Sequence, residues 1–244
     1  MRASLRALGD RLVAGASQLL PSSCALCGGA AAQALCEPCQ AQFFSHEAVR
    51  CPCCALPVAA PNVCGACLHT APAFDDTIVA ADYAAPVDQL ILMLKFGGKL
   101  ALAPQFAGLL RDALIRRTQR IALPTCLTAV PLSANRLRQR GFNQALEIAR
   151  PLARSLGIPL VPRLLERSRE TLAQAELAID ARRRNVGGAF IVGAAWLDAV
   201  KGQHVGVVDD VITTGATLQE IAATLKRFGA ARVTNLVVAR TLPR

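Results

Sequence analysis

The sequence predicts an α/β protein: a parallel sheet with helices on both faces, preceded by a small cysteine-rich module. Two observations support this prediction. Nine of the ten cysteines lie between Cys24 and Cys67, and strand-like and helix-like segments alternate from residue 77 onward. Such alternation is typical of parallel sheets, whose ligands bind at the carboxyl ends of the strands. We therefore divide the chain into an N-terminal helix (1–20), a cysteine module (21–70) and an α/β domain (71–244).

The elements follow from the apolar pattern of each segment. Buried strands are predicted for the short apolar or β-branched runs "TIVAADY", "LTAVPL", "IPLVPRLL", "AFIV", "VGVVDD" and "RVTNLVVAR". Helical spacing is found in "VDQLILMLKF", in "LALAPQFAGLLRDALIRR" and in residues 141–156, where Pro151 is expected to introduce a kink. Residues 1–20 carry leucines at helical spacing and predict an amphipathic helix that packs on the body of the protein.

The composition predicts a folded protein of the cytoplasm. Hydrophobic residues make up 53% of the 244 residues, which is enough for a substantial core. No apolar run reaches the roughly 18 residues that a membrane span needs. The N-terminal segment lacks the apolar stretch of a signal peptide, because charged residues interrupt it at Arg2, Arg6, Asp10 and Arg11. Attachment of this segment to the inner face of the membrane is left open.

The net charge of +10 is concentrated in one part of the chain. Residues 111–184 contain fifteen arginines, no lysine and six acidic residues. Because guanidinium groups bind phosphates through two hydrogen bonds at once, an excess made of arginine alone indicates phosphorylated ligands or nucleic acid. A soluble basic surface without a partner is the alternative.

The spacing of the cysteines predicts two zinc sites. Four pairs have two residues between the partners, a gap that lets a tight turn aim both sulfurs at one ion, and the glycine after Cys27 suits such a turn. We expect two sequential sites, with the ligands Cys24, Cys27, Cys36 and Cys39 in the first and Cys51, Cys54, Cys64 and Cys67 in the second. Four cysteines leave no coordination position for a substrate, so this zinc is structural.

The alternatives to this arrangement differ in strength. Disulfides are rare in a reducing compartment, and the spacing matches neither common iron–sulfur pattern. Spacing alone also permits an interleaved arrangement of the two sites. Cys53 is the expected spare residue, although it could replace Cys54 as a ligand.

The stretch "VVDDVITTGATL", from Val207 to Leu218, predicts a binding site for a ribose phosphate. A β-branched run ends in Asp209 and Asp210, and a loop of small residues then opens a helical pattern. The first turn of such a helix presents backbone N–H groups and a positive dipole end to a phosphate. Two carboxylates beside it suit a vicinal diol and a divalent metal. The alternative is a plain strand end with a helix cap.

Two further polar stretches are candidate parts of this site. "VPLSANRLRQRGFNQA" follows a predicted strand, and its Arg136 and Arg140 suit a second anionic group such as a pyrophosphate. The alternative is a solvated basic loop that leads into a helix, with Asn143 or Gln144 in the first turn. The long polar segment "RSRETLAQAELAIDARRRNVGGAF" is typical of a lid or a linker. Its candidate residues are Arg169, Thr171, Gln174 and Arg184.

These motifs, in this order, resemble the ComF family of competence-associated proteins. The cysteine pairs are followed by "YAAPVDQLILMLKFGGK", "RGFNQA", "RSRETLAQAEL", "RRRNVGGAF" and the aspartate pair. "VVDDVITTGATL" itself is similar to the phosphoribosyl-pyrophosphate (PRPP) loop of type I phosphoribosyltransferases. The resemblance extends from Cys24 to about Arg240. It implies a double zinc ribbon joined to a type I phosphoribosyltransferase fold, and a role in DNA uptake or natural transformation, handling single-stranded DNA in the cytoplasm.

The resemblance also implies roles for individual residues. Asp209 and Asp210 match the positions for the ribose diol and Mg²⁺, and Arg140 matches the basic motif, so these three are the candidate catalytic residues. The candidate PRPP-binding set adds the 5-phosphate loop and two neighbouring positions: Thr213, Thr214, Gly215, Ala216 and Thr217, with Val208 and Arg136.

Three functions are compatible with the sequence. An active transferase would bring a nucleophile to the anomeric carbon of PRPP while Mg²⁺ and arginines stabilise the leaving pyrophosphate. A binding protein would hold single-stranded DNA by its backbone, with little stacking because only 4% of the residues are aromatic. A PRPP-sensing regulator is the third. The sequence has no Walker A pattern, so ATP-driven movement of DNA would require a translocating partner.

Overall fold

The structure is a computed structural model that describes residues 22–44, 48–117, 122–167 and 188–242. Contacts within the chain divide it between Ser45 and His46 into two compact units. The second group of predicted zinc ligands therefore belongs to the same unit as the α/β domain. The helix predicted for residues 1–20 lies outside the described residues.

The first unit contains a short hairpin and one helix. Strands β1 (Ser22–Ser23) and β2 (Ala30–Ala31) pair in antiparallel fashion, and helix α1 spans Glu37–Phe44. In the turn that joins the strands, the N–H of Gly28 donates to the carbonyl of Cys24 at 2.9 Å, and Gly28 has a φ of +73°. Glycine adopts this left-handed conformation at no steric cost, as expected for the residue after Cys27.

The second unit is built around a four-stranded parallel sheet with the strand order β3-β8-β7-β4. Its strands are β3 (Asp76–Asp82), β4 (Cys126–Ala129), β7 (His204–Ile212) and β8 (Arg232–Arg240). Most side chains of the two central strands, β7 and β8, are buried, which is the pattern of strands covered on both faces. Strands β5 (Leu165–Arg167) and β6 (Phe190–Val192) form a separate antiparallel pair.

Helices cover both faces of the parallel sheet, which confirms the predicted fold class. On one face, α4 (Leu102–Arg117) packs against α6 (Gln144–Leu156), and both helices contact the strands. On the other face, α8 (Ala216–Arg227) and the β5–β6 pair share an apolar core with β7 and β8. The remaining helices are α2 (Gly65–His69), α3 (Val87–Phe96), α5 (Ala134–Arg140) and α7 (Leu197–Val200).

The structure differs from the predicted elements in two places. Residues 158–165 contribute one isolated bridge, between Leu160 and Leu127, instead of the predicted strand. Pro159 and Pro162 lack the N–H groups that a regular ladder needs, which explains the difference. The helix predicted for residues 141–156 begins at Gln144, because Gly141 adopts a φ of +77° and ends a separate helix, α5, that was not predicted. Pro151 lies inside α6, which continues to Leu156.

No helix within the described ranges combines the length and the apolarity that crossing a bilayer requires. The four long helices of the second unit, α3, α4, α6 and α8, instead bury one apolar stripe each. In α6 the stripe consists of Ala145, Ile148, Ala149, Leu152 and Ala153, whose spacing repeats every three or four residues.

Close packing around Gly206, in the middle of the sheet, gives a test of this architecture. A Cβ atom at this position would lie 2.5 Å from Cδ2 of Leu127 and 3.0 Å from Cγ of Pro124. Leu127 is itself fully buried, so it has little room to move away. We expect Gly206→Ala to lower the free energy of unfolding by about 1–3 kcal/mol in a denaturant titration.

The matched control for this substitution is Gly108→Ala, inside α4. A Cβ atom at Gly108 meets no other atom within 4 Å, so this variant should be more stable than the wild type by about 0.5–1 kcal/mol. Equal stability of the two variants would contradict the observed packing of β4 against β7.

Candidate functional site

The two adjacent aspartates lie near the carboxyl end of the central strand β7. Because successive residues of a strand point to opposite faces of the sheet, Asp209 and Asp210 diverge. Asp210 is 4% exposed, whereas Asp209 is half-buried, and Oδ1 of Asp209 accepts a hydrogen bond from the backbone N–H of Asp210 at 2.9 Å. Burial and the adjacent carboxylate of Asp210 raise the pKa of Asp209 well above its ordinary value.

Lys95, in the last turn of α3, compensates the charge of this pair. Its Nζ lies 2.7 Å from Oδ2 of Asp210, and 18% of its side chain is exposed. Its charge also opposes the rise in the pKa of Asp209. Because the carboxylate of Asp210 is already ion-paired with Lys95, Asp209 is the more accessible of the two carboxylates.

Arg140 approaches the same carboxylates from the end of α5. Its Nη1 donates to Oε1 of Gln144 at 2.9 Å, and its guanidinium lies 4.9 Å from the centre of the Phe96 ring, a cation–π distance. Burial lowers the pKa of Arg140, while the charge of Asp210 raises it and that of Arg136 lowers it. Arg140 is therefore within electrostatic reach of both Asp210 and Arg136.

Three capping residues fix the position of Arg140. Ser133 caps the start of α5 by accepting the N–H of Arg136 at 3.4 Å, and Gly141 ends the helix. Asn143 caps α6 through the N–H groups of Ala145 and Leu146, and its side-chain amide donates to the carbonyl of Val130 at 3.0 Å. Asn143 thus caps the start of α6, and this cap also ties the "RGFNQ" segment to the end of β4.

The loop after the aspartates leads directly into the N-terminus of α8. Gly215 precedes the helix with a φ of +79°, a left-handed conformation that favours glycine, and Oγ1 of Thr214 accepts the N–H of Ala216 at 3.4 Å. Thr214 is exposed, and Thr213 and Thr217 are half-buried. The loop thus places hydroxyl groups and the positive end of the α8 dipole beside Asp209.

The other predicted site residues have different positions. Val208 is fully buried, and its carbonyl accepts the N–H of Val130 at 3.0 Å, so it belongs to the sheet core and not to an open surface. The candidate lid residues fall outside the described residues: Arg169, Thr171, Gln174 and Arg184.

The sequence interpretation missed two residues of this site: Lys95 and Phe96. Lys95 follows directly on the apolar stripe of α3, and Phe96, which is 70% exposed, ends that helix. The sequence signal that could have indicated them is a lysine and an aromatic residue at the end of an otherwise apolar helix. Their partners come from β7 and α5, more than 40 residues away, and the sequence does not show that pairing.

The donor set fits a magnesium-bound ribose phosphate. Asp209 and Asp210 supply the carboxylate oxygens that Mg²⁺ prefers, and these oxygens also accept hydrogen bonds from hydroxyl groups. The N-terminus of α8 suits one phosphate, and Arg136 and Arg140 suit a second anionic group. The arrangement can therefore hold a sugar that carries phosphates at both ends.

The eight predicted zinc ligands form two groups in the sequential arrangement. In each group the four sulfurs lie within 4.8 Å of one another: Cys24, Cys27, Cys36 and Cys39 in the first, and Cys51, Cys54, Cys64 and Cys67 in the second. The Sγ atoms of Cys27 and Cys36 are 3.7 Å apart, close to the roughly 3.8 Å that four Zn–S bonds of about 2.3 Å give in a tetrahedron. Both groups therefore fit a zinc ion.

The two sites repeat one local structure. In the second site the N–H of Ala55 donates to the carbonyl of Cys51 at 2.9 Å, as that of Gly28 does to Cys24, and Ala55 also has a positive φ, of 60°. Backbone N–H groups donate to the sulfurs of Cys24 and Cys51, at 3.4 Å and 3.3 Å.

These backbone hydrogen bonds favour the thiolate form that binds zinc. Burial opposes the charge on each sulfur, but the hydrogen bonds outweigh it and lower the pKa of Cys24 to about 6 and that of Cys51 to about 7. The first cysteine of each site is therefore prepared for a metal ion. Cys53 lies in neither group, and burial raises its pKa, so the structure places it as the spare residue.

Comparisons with known proteins agree with both parts of the chain. Residues 16–68 match the double zinc ribbon domain, and residues 143–242 match the phosphoribosyl transferase domain. Competence protein F of Haemophilus influenzae is 35% identical over 170 residues, which cover 68% of this chain and 73% of the relative. The chain belongs to the ComF family.

Two other similar proteins share the name DNA utilization protein YhgH. The DNA utilization protein YhgH of Salmonella typhimurium is 36% identical over 211 residues, or 85% of this chain and 91% of the relative. The protein of the same name from Escherichia coli strain K12 is 38% identical over 195 residues, or 79% and 84% of the two chains. These matches confirm the resemblance on which the expected fold was based.

The grouping of the sulfurs predicts the zinc content of single-cysteine variants. The purified wild type should carry about two zinc ions per chain, because each closed four-cysteine group holds one. Cys54→Ser should retain about one zinc ion, whereas Cys53→Ser, the adjacent residue, should retain two. Elemental analysis of the purified proteins measures this directly.

Two results would contradict this assignment. If the purified protein contained iron and showed a visible chromophore, the cysteines would hold an iron–sulfur centre and not zinc. If Cys53→Ser lost one zinc ion and Cys54→Ser lost none, Cys53 would be the zinc ligand and Cys54 the spare residue.

Proposed function

We propose that the second unit binds PRPP, or a closely related ribose phosphate, together with Mg²⁺ at the carboxyl end of β7. One observation carries this proposal: the acidic pair near the end of the central strand is followed, after four residues, by Gly215, which caps the N-terminus of α8. Diol and metal ligands thus lie directly beside a phosphate site. The match of residues 143–242 to the phosphoribosyl transferase domain supports this proposal.

The residues divide the ligand between them. The loop from Thr213 to Thr217 holds the 5-phosphate, and the carboxylates of Asp209 and Asp210 hold the ribose diol. Mg²⁺ supplies charge neutralisation for the pyrophosphate. Arg140, Arg136 and Lys95 add positive charge on the same side, and they stabilise the negative charge that develops as the bond from C1 of the ribose to pyrophosphate breaks. Because positioning and electrostatics supply most of this catalysis, the site needs no general base on the sugar.

The names of the relatives connect this site with DNA. Proteins called DNA utilization protein YhgH and Competence protein F match this chain over 91% and 73% of their own lengths. We extend to this chain a role in DNA uptake, in the cytoplasm, with any ATP-driven translocation supplied by a partner. If the protein is an enzyme, it transfers the phosphoribosyl group of PRPP to an acceptor. If it has no turnover, it senses PRPP.

A second candidate function, binding of single-stranded DNA, rests on the surface next to the carboxylates. Phe96 is 70% exposed with Arg140 against its ring, and Lys99 and Arg138 are exposed nearby along the chain. An exposed aromatic ring on a positively charged surface is the arrangement on which an unpaired base stacks while the phosphates meet positive charge.

The proposal predicts that PRPP binding requires both Mg²⁺ and the aspartates. Asp209→Asn with Asp210→Asn should weaken PRPP binding at least about tenfold, or about 1.4 kcal/mol, because amides cannot replace the carboxylates toward Mg²⁺. Calorimetric titration with PRPP, with and without Mg²⁺, measures this change. Asp198→Asn, which removes a fully exposed carboxylate that pairs with Lys201, is the matched control and should bind as the wild type does.

The ion pair of Lys95 separates loss of binding from loss of fold. Asp210→Asn leaves Lys95 without its partner and should lower the melting temperature, whereas adding Lys95→Gln should recover much of it by removing the uncompensated charge. PRPP binding should stay lost in this recovered variant. If the double asparagine variant bound PRPP normally, the proposal would be contradicted. Asp209 and Asp210 would then be only a strand end and a helix cap.

The DNA hypothesis predicts two distinct effects in a salt titration. Removing the exposed charges with Lys99→Ala and Arg138→Ala should reduce the slope of log K against log salt concentration by about 1.4, since each single-strand phosphate contact contributes about 0.7. Phe96→Ala should weaken binding by about 1–3 kcal/mol and leave the slope unchanged, because stacking releases no counterions. Fluorescence anisotropy with a labelled oligonucleotide measures both.

The control removes two arginines from another surface. Arg150→Ala with Arg154→Ala takes the same charge from exposed positions in the later turns of α6. An equal change of slope in both double variants would show that net charge, and not the surface around Phe96, determines DNA binding.

A further inference from the structure

Arg240, the last residue of β8, carries a buried charge that its neighbours in the sheet do not satisfy. The residue is 6% exposed, and its Nε and Nη1 are buried without a hydrogen-bond acceptor among the described residues. Its backbone is fully engaged, since its carbonyl accepts the N–H of Tyr83 at 2.7 Å. A guanidinium keeps its proton at any ordinary pH, and an isolated buried cation is unfavourable. A negative group must therefore compensate it.

The carboxylate nearest along the sheet is already paired. Asp82 is the register partner of Arg240 on β3, but its Oδ1 lies 2.9 Å from Nη2 of Arg50. Nη1 of Arg50 in turn donates to the carbonyl of Ala55 at 3.1 Å. Arg50 thus links the sheet to the turn of the second cysteine group and disfavours the charge of Arg240.

The groups that favour the charge of Arg240 are sulfurs of the second cysteine group. Burial lowers the pKa of Arg240, while Cys54, Cys67 and Cys64 act in the opposite direction when they are thiolates. Burial makes an interaction of this kind strong, because water does not screen it. Four thiolates around one Zn²⁺ carry a net charge of −2, so the metal-loaded group is the negative partner that Arg240 lacks.

The second cysteine group also contacts the free edge of the sheet. Strand β3 is an edge strand, and the N–H of Thr77 donates to the carbonyl of Pro52 at 3.0 Å. Together with the ion pair between Arg50 and Asp82, this contact joins both ends of β3 to the segment that holds the zinc ligands.

The first cysteine group has a different environment. Residues 22–44 contain no lysine or arginine, so that unit supplies no cation to its own four thiolates within the described residues. The two sites therefore repeat one local structure with different charge compensation.

We propose that Arg240 is the counter-charge of the second zinc site. Its positive charge compensates the net negative charge of the zinc–thiolate group, and it makes zinc a structural component of the transferase sheet rather than of a separate ribbon. Loss of zinc from this site then leaves Arg240 uncompensated at the end of β8. This inference does not depend on PRPP or DNA binding, because its test measures zinc only.

The test uses the full chain and a colorimetric zinc chelator. Cys24→Ser with Cys27→Ser removes the first site, so the remaining release phase belongs to the second site. In this background Arg240→Met should release zinc at least about tenfold faster, which is the effect expected when a group that supports metal ligands is lost. Arg240→Lys keeps the charge and should stay within about threefold of the parent.

The control is Arg227→Met, which removes an exposed arginine of α8 that hydrogen-bonds to Thr224. Its zinc release should equal that of the parent. Unchanged release in Arg240→Met would overturn the proposal, and so would equal acceleration in Arg240→Lys and Arg240→Met, because packing and not charge would then be responsible. If Arg240→Met does not fold, the comparison of Arg240→Lys with Arg240→Gln decides in the same way.

Discussion

Two adjacent carboxylates near the end of a buried strand need positive charge close by, and the ligand edge of the sheet is arranged around that need. Lys95 reaches Asp210 from the end of α3, and Arg140 reaches the same region from the end of α5. Both helices therefore have to end at this edge. Gly141 and Asn143 serve this geometry, because they end α5 and start α6 within three residues.

The same rule applies at the end of the neighbouring central strand, β8, with a different negative partner. There the charge at the end of a buried strand is positive, on Arg240, and sulfur takes the place of carboxylate. Because Arg50 already binds Asp82, the available compensation comes from the cysteine group on the same side. The zinc ribbon and the sheet are thus coupled by electrostatics as well as by the backbone hydrogen bond from Thr77 to Pro52.

The features that the sequence predicted depend on residues close together in the chain, whereas the features that it missed depend on residues far apart. The apolar run of β7, Gly215 and the two-residue gaps between cysteines act over a few residues, so the loop before α8 and both zinc sites could be predicted. The pairing of Lys95 with Asp210 spans 115 positions and depends on where α3 packs. Likewise, Pro159 and Pro162 removed the ladder donors from an apolar run that otherwise looked like a strand.

The position of Phe96 connects the two proposed functions. Its ring contacts Arg140, and Arg140 interacts with Asp210, so a base stacked on the ring would lie on the side of the pyrophosphate end of the proposed site. A DNA phosphate and the pyrophosphate of PRPP would then approach the same guanidinium. Since one guanidinium fork holds one phosphate well, the two ligands should compete where they share Arg140. Competition between an oligonucleotide and PRPP would place both on one surface, whereas independent binding would assign DNA to another part of the chain.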